Sequence, residues 1–189
     1  RGEAMRTRGF WVLAAISSAA GMLSTALNFH QIDLLGEAGL SEDAAAAMFL
    51  PQVLGSTLAG FGFGYLADRL CSRYLPATAV SLLVFAHLLA ANASPGLTVL
   101  SYAIVLGAAG GAIRTVTATL LPNWFGTEHL GSIQGTLTLL NVGASALGPN
   151  TLAVAEDSVG SYPPAILGLA LIPVAAMLFA LPVRDRTAN

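Results

Sequence analysis

The sequence predicts an all-α membrane protein, a single domain over residues 1–189 made of six transmembrane helices. Three observations predict it: a shortage of charge, a set of long uncharged intervals, and a one-sided distribution of arginine. Hydrophobic residues make up 55% of the chain and charged residues 10%, whereas a soluble domain carries about 25% charged residues. Residues 9–32, 44–67, 74–113, 129–155 and 158–183 contain no Asp, Glu, Arg or Lys. A helix needs about 20 mostly apolar residues to cross the hydrocarbon core, so each interval can hold at least one crossing. The first interval is too long for a secretory signal, whose apolar part runs to about 15 residues, and more apolar intervals follow it.

The elements follow in order. "NASPG" at 92–96 combines Asn, Ser, Pro and Gly and divides the 74–113 interval. Spans are therefore expected at 9–31, 44–66, 75–91, 97–121, 130–153 and 164–181. "LSEDA" at 40–44 offers a serine N-cap with acidic residues in the first turn of the second span. "SYPP" at 161–164 puts prolines at the start of the sixth, where a missing N–H costs little.

Six spans place both termini on one side. Arg1, Arg6 and Arg8 precede span one, Arg69 and Arg73 follow span two, and Arg184 and Arg186 follow span six. The positive-inside rule makes that face cytoplasmic. The opposite loops hold only acids, Glu37, Glu42 and Asp43 in one and Glu156 and Asp157 in another. Spans three and six are nearly free of polar side chains and are expected at the periphery. Spans one, two, four and five carry the small and polar residues and are expected to face an interior. Gly60/Gly64, Gly107/Gly111 and Gly131/Gly135 have the small-xxx-small spacing that lets helices approach closely.

Arg114 lies inside span four, where a charge near mid-membrane costs at least ~2.5 kcal/mol. Gly107, Gly110, Thr117 and Leu121 continue its helical face. Such a position suits an anion or a buried acid, or else an arginine snorkelling to the interface. Gln134, Thr138, Asn141 and Ser145 make one polar face of span five, which either lines a cavity or bonds to neighbouring helices. Ser17, Gly21, Ser24, Asn28 and Gln31 make a comparable face on span one. His30 and Asp33, three apart, can share a proton or form a solvated helix end. His87, on span three, is expected to pack.

Other classes are excluded by what the sequence lacks. The single Cys71 rules out an internal disulfide and a multi-cysteine metal site. No metal or other cofactor is expected. A net charge of −2 without a basic tract argues against nucleic acid. With no lysine there is no Walker A loop. "GASA" at 143–146 approaches an intramembrane serine-protease motif, but the final glycine is missing and every histidine precedes Ser145. The expectation is therefore not an enzyme.

"GYLADRLCSRYL" at 64–75 is placed by this topology in the cytoplasmic turn between spans two and three. Gly64, Asp68, Arg69 and Arg73 resemble the loop signature of the major facilitator superfamily, with Cys71 at the position of its second glycine and Tyr74 at a basic position. "NWFGTEHLGSIQG" at 123–135 resembles the link between the tenth and eleventh helices in the oxalate/formate and monocarboxylate-like branches. "FHQIDLLGEAGLSEDAAAAMFLPQ" at 29–52 resembles the outer end of the seventh helix and the start of the eighth.

The resemblance covers nearly the whole chain and implies helices seven to twelve, a C-terminal half expected to work with an N-terminal six-helix half. A start at Arg1 rather than methionine reads in the same direction. It implies a secondary transporter that moves a small solute by rocking two halves around a midplane site. A proton-coupled organic anion such as a monocarboxylate is the expected solute, and Gly64, Asp68, Arg69 and Arg73 are expected to act as a cytoplasmic latch, the alternative being a plain positive-inside anchor that needs only Arg69 and Arg73. Arg114, Asn28, Gln134, Thr138 and Asn141 are the expected cavity residues, and His30 and Asp33 the proton-coupling pair. The alternatives are a non-transporting scaffold or sensor on the same bundle, and a half-size transporter acting as a homodimer. Arginine without lysine points to a GC-rich bacterial genome, hence to the bacterial cytoplasmic (inner) membrane, with the lipid bilayer as the chain's surroundings.

Overall fold

A computed structural model describes residues 2–69 and 74–181. Among the described residues the chain is helical, with no strand. A short α1 (Gly2–Met5) precedes α2 (Arg8–Phe29). Thr7 caps α2, its hydroxyl accepting from the Phe10 N–H at 3.3 Å. The chain breaks at His30 and resumes as α3 (Gln31–Glu37). Then come α4 (Glu42–Ala47), capped by Ser41 as the "LSEDA" signal requires, and α5 (Phe49–Ala67). The remaining helices are α6 (Leu75–Ala91), α7 (Leu97–Phe125), α8 (Leu130–Val159), α9 (Tyr162–Leu169) and α10 (Leu171–Ala180). Gly96, Gly126 and Gly160 flank α7 and α8 at positive φ, a conformation that glycine adopts without steric cost.

The six expected stretches all fall on helix, three of them jointed near one end. Four are long and apolar enough to cross a membrane: Arg8–Phe29, Glu42–Ala67, Leu97–Phe125 and Tyr162–Ala180. Leu75–Ala91 is apolar but shorter. α8 carries Glu156 and Asp157 in its last turn, and Gln134, Asn141 and Asn150 along its length. Its polar stripe dilutes its hydropathy, so six spans are not established by length and composition alone.

Packing follows the glycines. α5 lies along α7, and α2 along α8, as the two most extensive helix pairs. A Cβ on Gly107 would overlap the Gln52 carbonyl oxygen, one on Gly111 the Ser56 carbonyl, and one on Gly55 the Ile104 carbonyl. Backbone therefore meets backbone where Gln52–Ser56 of α5 cross Ile104–Gly111 of α7, and any larger residue there would force the helices apart, whereas Gly60 and Gly64 lie against the Thr115 side chain. Gly148 of α8 meets the Met22 carbonyl of α2 in the same way. Gly131 and Gly135 face open space, so that pair serves no such contact.

Among the described residues, spans three and six, the expected periphery, supply no residue to the cavity between the other four helices, and α6 packs beside α10. α6 buries Leu75, Ala79, Val80, Leu83, Ala86 and His87 against α7 and α10. His87 bonds through Nδ1 to the Leu83 carbonyl at 2.8 Å, a packed core histidine. The more exposed helix is α5, with Leu50 at 71% and Phe61 at 76% accessible.

Candidate functional site

Four helices, α2, α5, α7 and α8, line an open cavity of about 1090 Å³. Each reaches it with a polar stripe set at helical spacing. α2 contributes Ser17, Gly21, Ser24 and Asn28, while α8 contributes Gln134, Thr138 and Asn141. α7 contributes Gly107, Gly110, Arg114 and Thr117. α5 adds Gln52, Ser56 and Thr57. The rest of the wall includes apolar side chains such as Val53, Leu106 and Ile113. The five residues expected from sequence to line a cavity, Arg114, Asn28, Gln134, Thr138 and Asn141, thus meet in one place.

Among the described residues lining the cavity, Arg114 alone carries a charge. Its Nη2 donates to the Ser56 Oγ at 2.8 Å, and the side chain is exposed. The hydroxyl is a neutral partner, so it orients the guanidinium without cancelling its charge. A guanidinium has five N–H donors in a fixed fork, and further donors remain to meet the oxygens of an anion. Asn141 is partly committed elsewhere, its Nδ2 donating to the Ser17 carbonyl and joining α8 to α2.

Three polar atoms of lining residues, Ser24 Oγ, Asn28 Oδ1 and Thr117 Oγ1, are buried without a hydrogen-bond partner. Buried polar groups are nearly always paired.

The expected proton-sharing pair is not brought together by a hydrogen bond. His30 Nε2 lies 3.1 Å from the Pro149 carbonyl oxygen, and Nδ1 lies 3.1 Å from the Tyr162 hydroxyl. The carbonyl can only accept, so Nε2 carries the hydrogen, and in the neutral ring Nδ1 accepts from Tyr162. Both ring nitrogens are occupied by α8 and α9, while Asp33 points outward from the first turn of α3. His30 closes α2, its N–H bonded to the Ala26 carbonyl, and its ring meets α8 and α9, whereas Asp33 belongs to the separate helix α3. Gln31 likewise leaves the span-one stripe and is fully buried against α4 and α5.

At the opposite end, Gly64 is the last glycine of α5, near the Thr115 side chain, and Asp68 is its C-cap. The Arg69 guanidinium stacks over the Tyr65 ring, 4.4 Å from its centroid, a cation–π contact. Arg73 lies outside the described residues. Sequence reasoning missed Gln52 and Ser56. Their signal was two polar residues four apart on the mostly apolar α5, the same spacing used for α2 and α8. Among the described residues no cluster of His, Cys, Asp or Glu could hold a metal ion. Neither a scan against protein-family models nor a search of curated proteins finds a match to this chain.

Proposed function

We propose that this chain is an integral membrane-transport module: six crossings, both termini cytoplasmic, and one half of a secondary transporter of the major-facilitator type. Its solute is a small organic anion, such as a monocarboxylate, that binds against Arg114. The observation that carries the reading is the cavity itself, lined by the polar stripes of four helices around a single uncompensated guanidinium. A charge there is costly unless it has a task, and its fork matches a carboxylate.

The partner is a second six-helix bundle, either an N-terminal half or a second copy of this chain. Support comes from the helices that flank the cavity. On α5, Leu50, Leu58 and Phe61 are 71%, 70% and 76% accessible, and on α8 Leu139 is 72% accessible. A bundle seated there would complete the walls of the cavity. Gly64, Asp68, Arg69 and Arg73 then sit in the cytoplasmic turn facing that partner, as a latch.

The test is uptake of labelled formate, oxalate and lactate into inner-membrane vesicles carrying the chain with its partner bundle. Saturable uptake lost in Arg114→Ala at matched expression supports transport. Vesicles that bind partner proteins but accumulate none of the three would favour the scaffold or sensor.

A further inference from the structure

Two helix pairs supply the cavity wall, α5 with α7 and α2 with α8. The first pair brings the guanidinium of Arg114, bonded to Ser56. The polar groups that the second pair brings to the same cavity are neutral. Gln134 and Thr138 stand one turn apart on α8, and Asn28 lies near the end of α2.

The hydrogen-bonding state of these groups sets them apart. A hydroxyl inside a helix commonly spends its hydrogen on the carbonyl one turn back. Ser145, Thr151 and Ser158 of α8 do so, donating to the carbonyls of Asn141, Leu147 and Val154 at 2.9, 2.8 and 2.6 Å. Asn141, the next member of the cavity stripe, is spent on the Ser17 carbonyl. Thr138 and Gln134, by contrast, are exposed and make no hydrogen bond among the described residues. Between them they offer a hydroxyl that can donate or accept, and an amide with two donors and an acceptor. Asn28 Oδ1 is likewise without a partner.

The cavity thus joins one charge from α7 to uncommitted neutral groups from α8. A carboxylate answers the charge, and hydroxyls, which donate and accept, answer the amide and the threonine. Room is ample. The cavity of about 1090 Å³ lies at the upper end of the roughly 300–1,000 Å³ that holds drug-sized ligands, well beyond the need of a one-carbon acid. A methyl group added at Gly110, one turn before Arg114, would meet nothing within 4 Å. Polar groups that bond to a solute's hydroxyls also reject the analogue without them, because they would give up water and gain nothing.

We propose that the cavity takes a polyhydroxylated monocarboxylate, an acid of the sugar-acid type, with its carboxylate on Arg114 and its hydroxyls on Gln134 and Thr138. Arg114 fixes the charge of the solute, and the α8 pair selects hydroxylated acids over plain ones. This deepens the transport reading and rests on the cavity being an anion site.

The test is equilibrium binding of labelled D-gluconate to the chain with its partner bundle in nanodiscs, with empty nanodiscs as background. Unlabelled gluconate and hexanoate, which has the same carbon count and no hydroxyl, compete. Gluconate should bind at least tenfold more tightly. Gln134→Leu and Thr138→Val should each weaken gluconate roughly three- to tenfold, the worth of one neutral hydrogen bond, and leave hexanoate unchanged. Thr138→Ser keeps the hydroxyl and should bind as the wild type does. Arg114→Ala should weaken both acids. Equal affinity for the two acids, no binding of gluconate, or a loss in the α8 variants shared equally by hexanoate would each overturn the proposal. Gluconate bound but not accumulated by vesicles would leave the ligand class standing and remove transport. Saturable uptake of formate or lactate without preference for gluconate would do the reverse.

Discussion

Arg114 on α7 and Ser56 on α5 are joined across the helix seam by a 2.8 Å hydrogen bond from guanidinium to hydroxyl. The bond holds the guanidinium at the cavity wall. Four residues before Arg114, a methyl group added at Gly110 would meet nothing within 4 Å, so space lies beside the guanidinium.

The first prediction concerns this pair. Arg114→Lys should retain charge and folding but raise the half-saturation concentration for an anionic solute, because an ammonium cannot supply two parallel donors. Arg114→Ala should abolish uptake of that solute. Losing a charge-assisted hydrogen bond is worth about 1.5–3 kcal/mol, roughly ten- to hundredfold in affinity. Uptake of labelled anion by both variants at matched expression is the measurement. An unchanged half-saturation in Arg114→Ala would leave the arginine no part in binding.

The second prediction concerns packing. Gly107→Ala places a methyl group on the Gln52 carbonyl oxygen, where the obstacle is backbone and cannot swing away. It should lower stability by about 1–3 kcal/mol, the usual cost of overpacking. Gly110→Ala, one turn along the same helix, meets open space and should be neutral. Thermal unfolding in detergent compares them, and equal melting temperatures would contradict the close α5–α7 seam.

The third concerns His30 and Tyr162, which are 132 positions apart in sequence yet hydrogen-bonded. His30→Phe and Tyr162→Phe should each destabilise the protein, and the double variant should fall short of their sum by about 0.5–1.5 kcal/mol. Strict additivity would mean that the two rings are neighbours without a bond.

A fourth prediction tests the orientation. Reporters fused after Asn189 or within 67–73 should be cytoplasmic, and those within 35–42 exterior, because the arginines and the acids occupy opposite ends. Asp68→Asn should slow transport while leaving this topology intact, since the arginines stay as anchors. An exterior signal from 67–73 would overturn the orientation and the latch together.

Much of the fold was legible because the signals are local. The uncharged intervals, the Ser41 cap and the "NASPG" break each act within a few residues. Helical periodicity likewise set Ser17, Ser24 and Asn28 on one face and Gln134, Thr138 and Asn141 on another, and the structure turns both faces to the same cavity. The part of α5 in that wall was harder to read, since Gln52 and Ser56 stand isolated in a helix whose other face is strongly apolar.

The sequence by itself determined where helices form and which faces are polar, because hydropathy and backbone propensity are properties of neighbouring residues. Only the tertiary structure decided which polar groups meet. His30 looked like the partner of Asp33 at three residues' distance, yet it bonds to Tyr162 and to the Pro149 carbonyl from the far end of the chain. Gln31 looked like the end of a cavity stripe, yet it is buried beneath α4 and bonded to Gln52. The helix breaks at His30, so Gln31 and Asp33 belong to a new helix and leave the register that periodicity assumes. A bend of that kind depends on what packs against it, so it is written in the contacts between helices and not within any one of them.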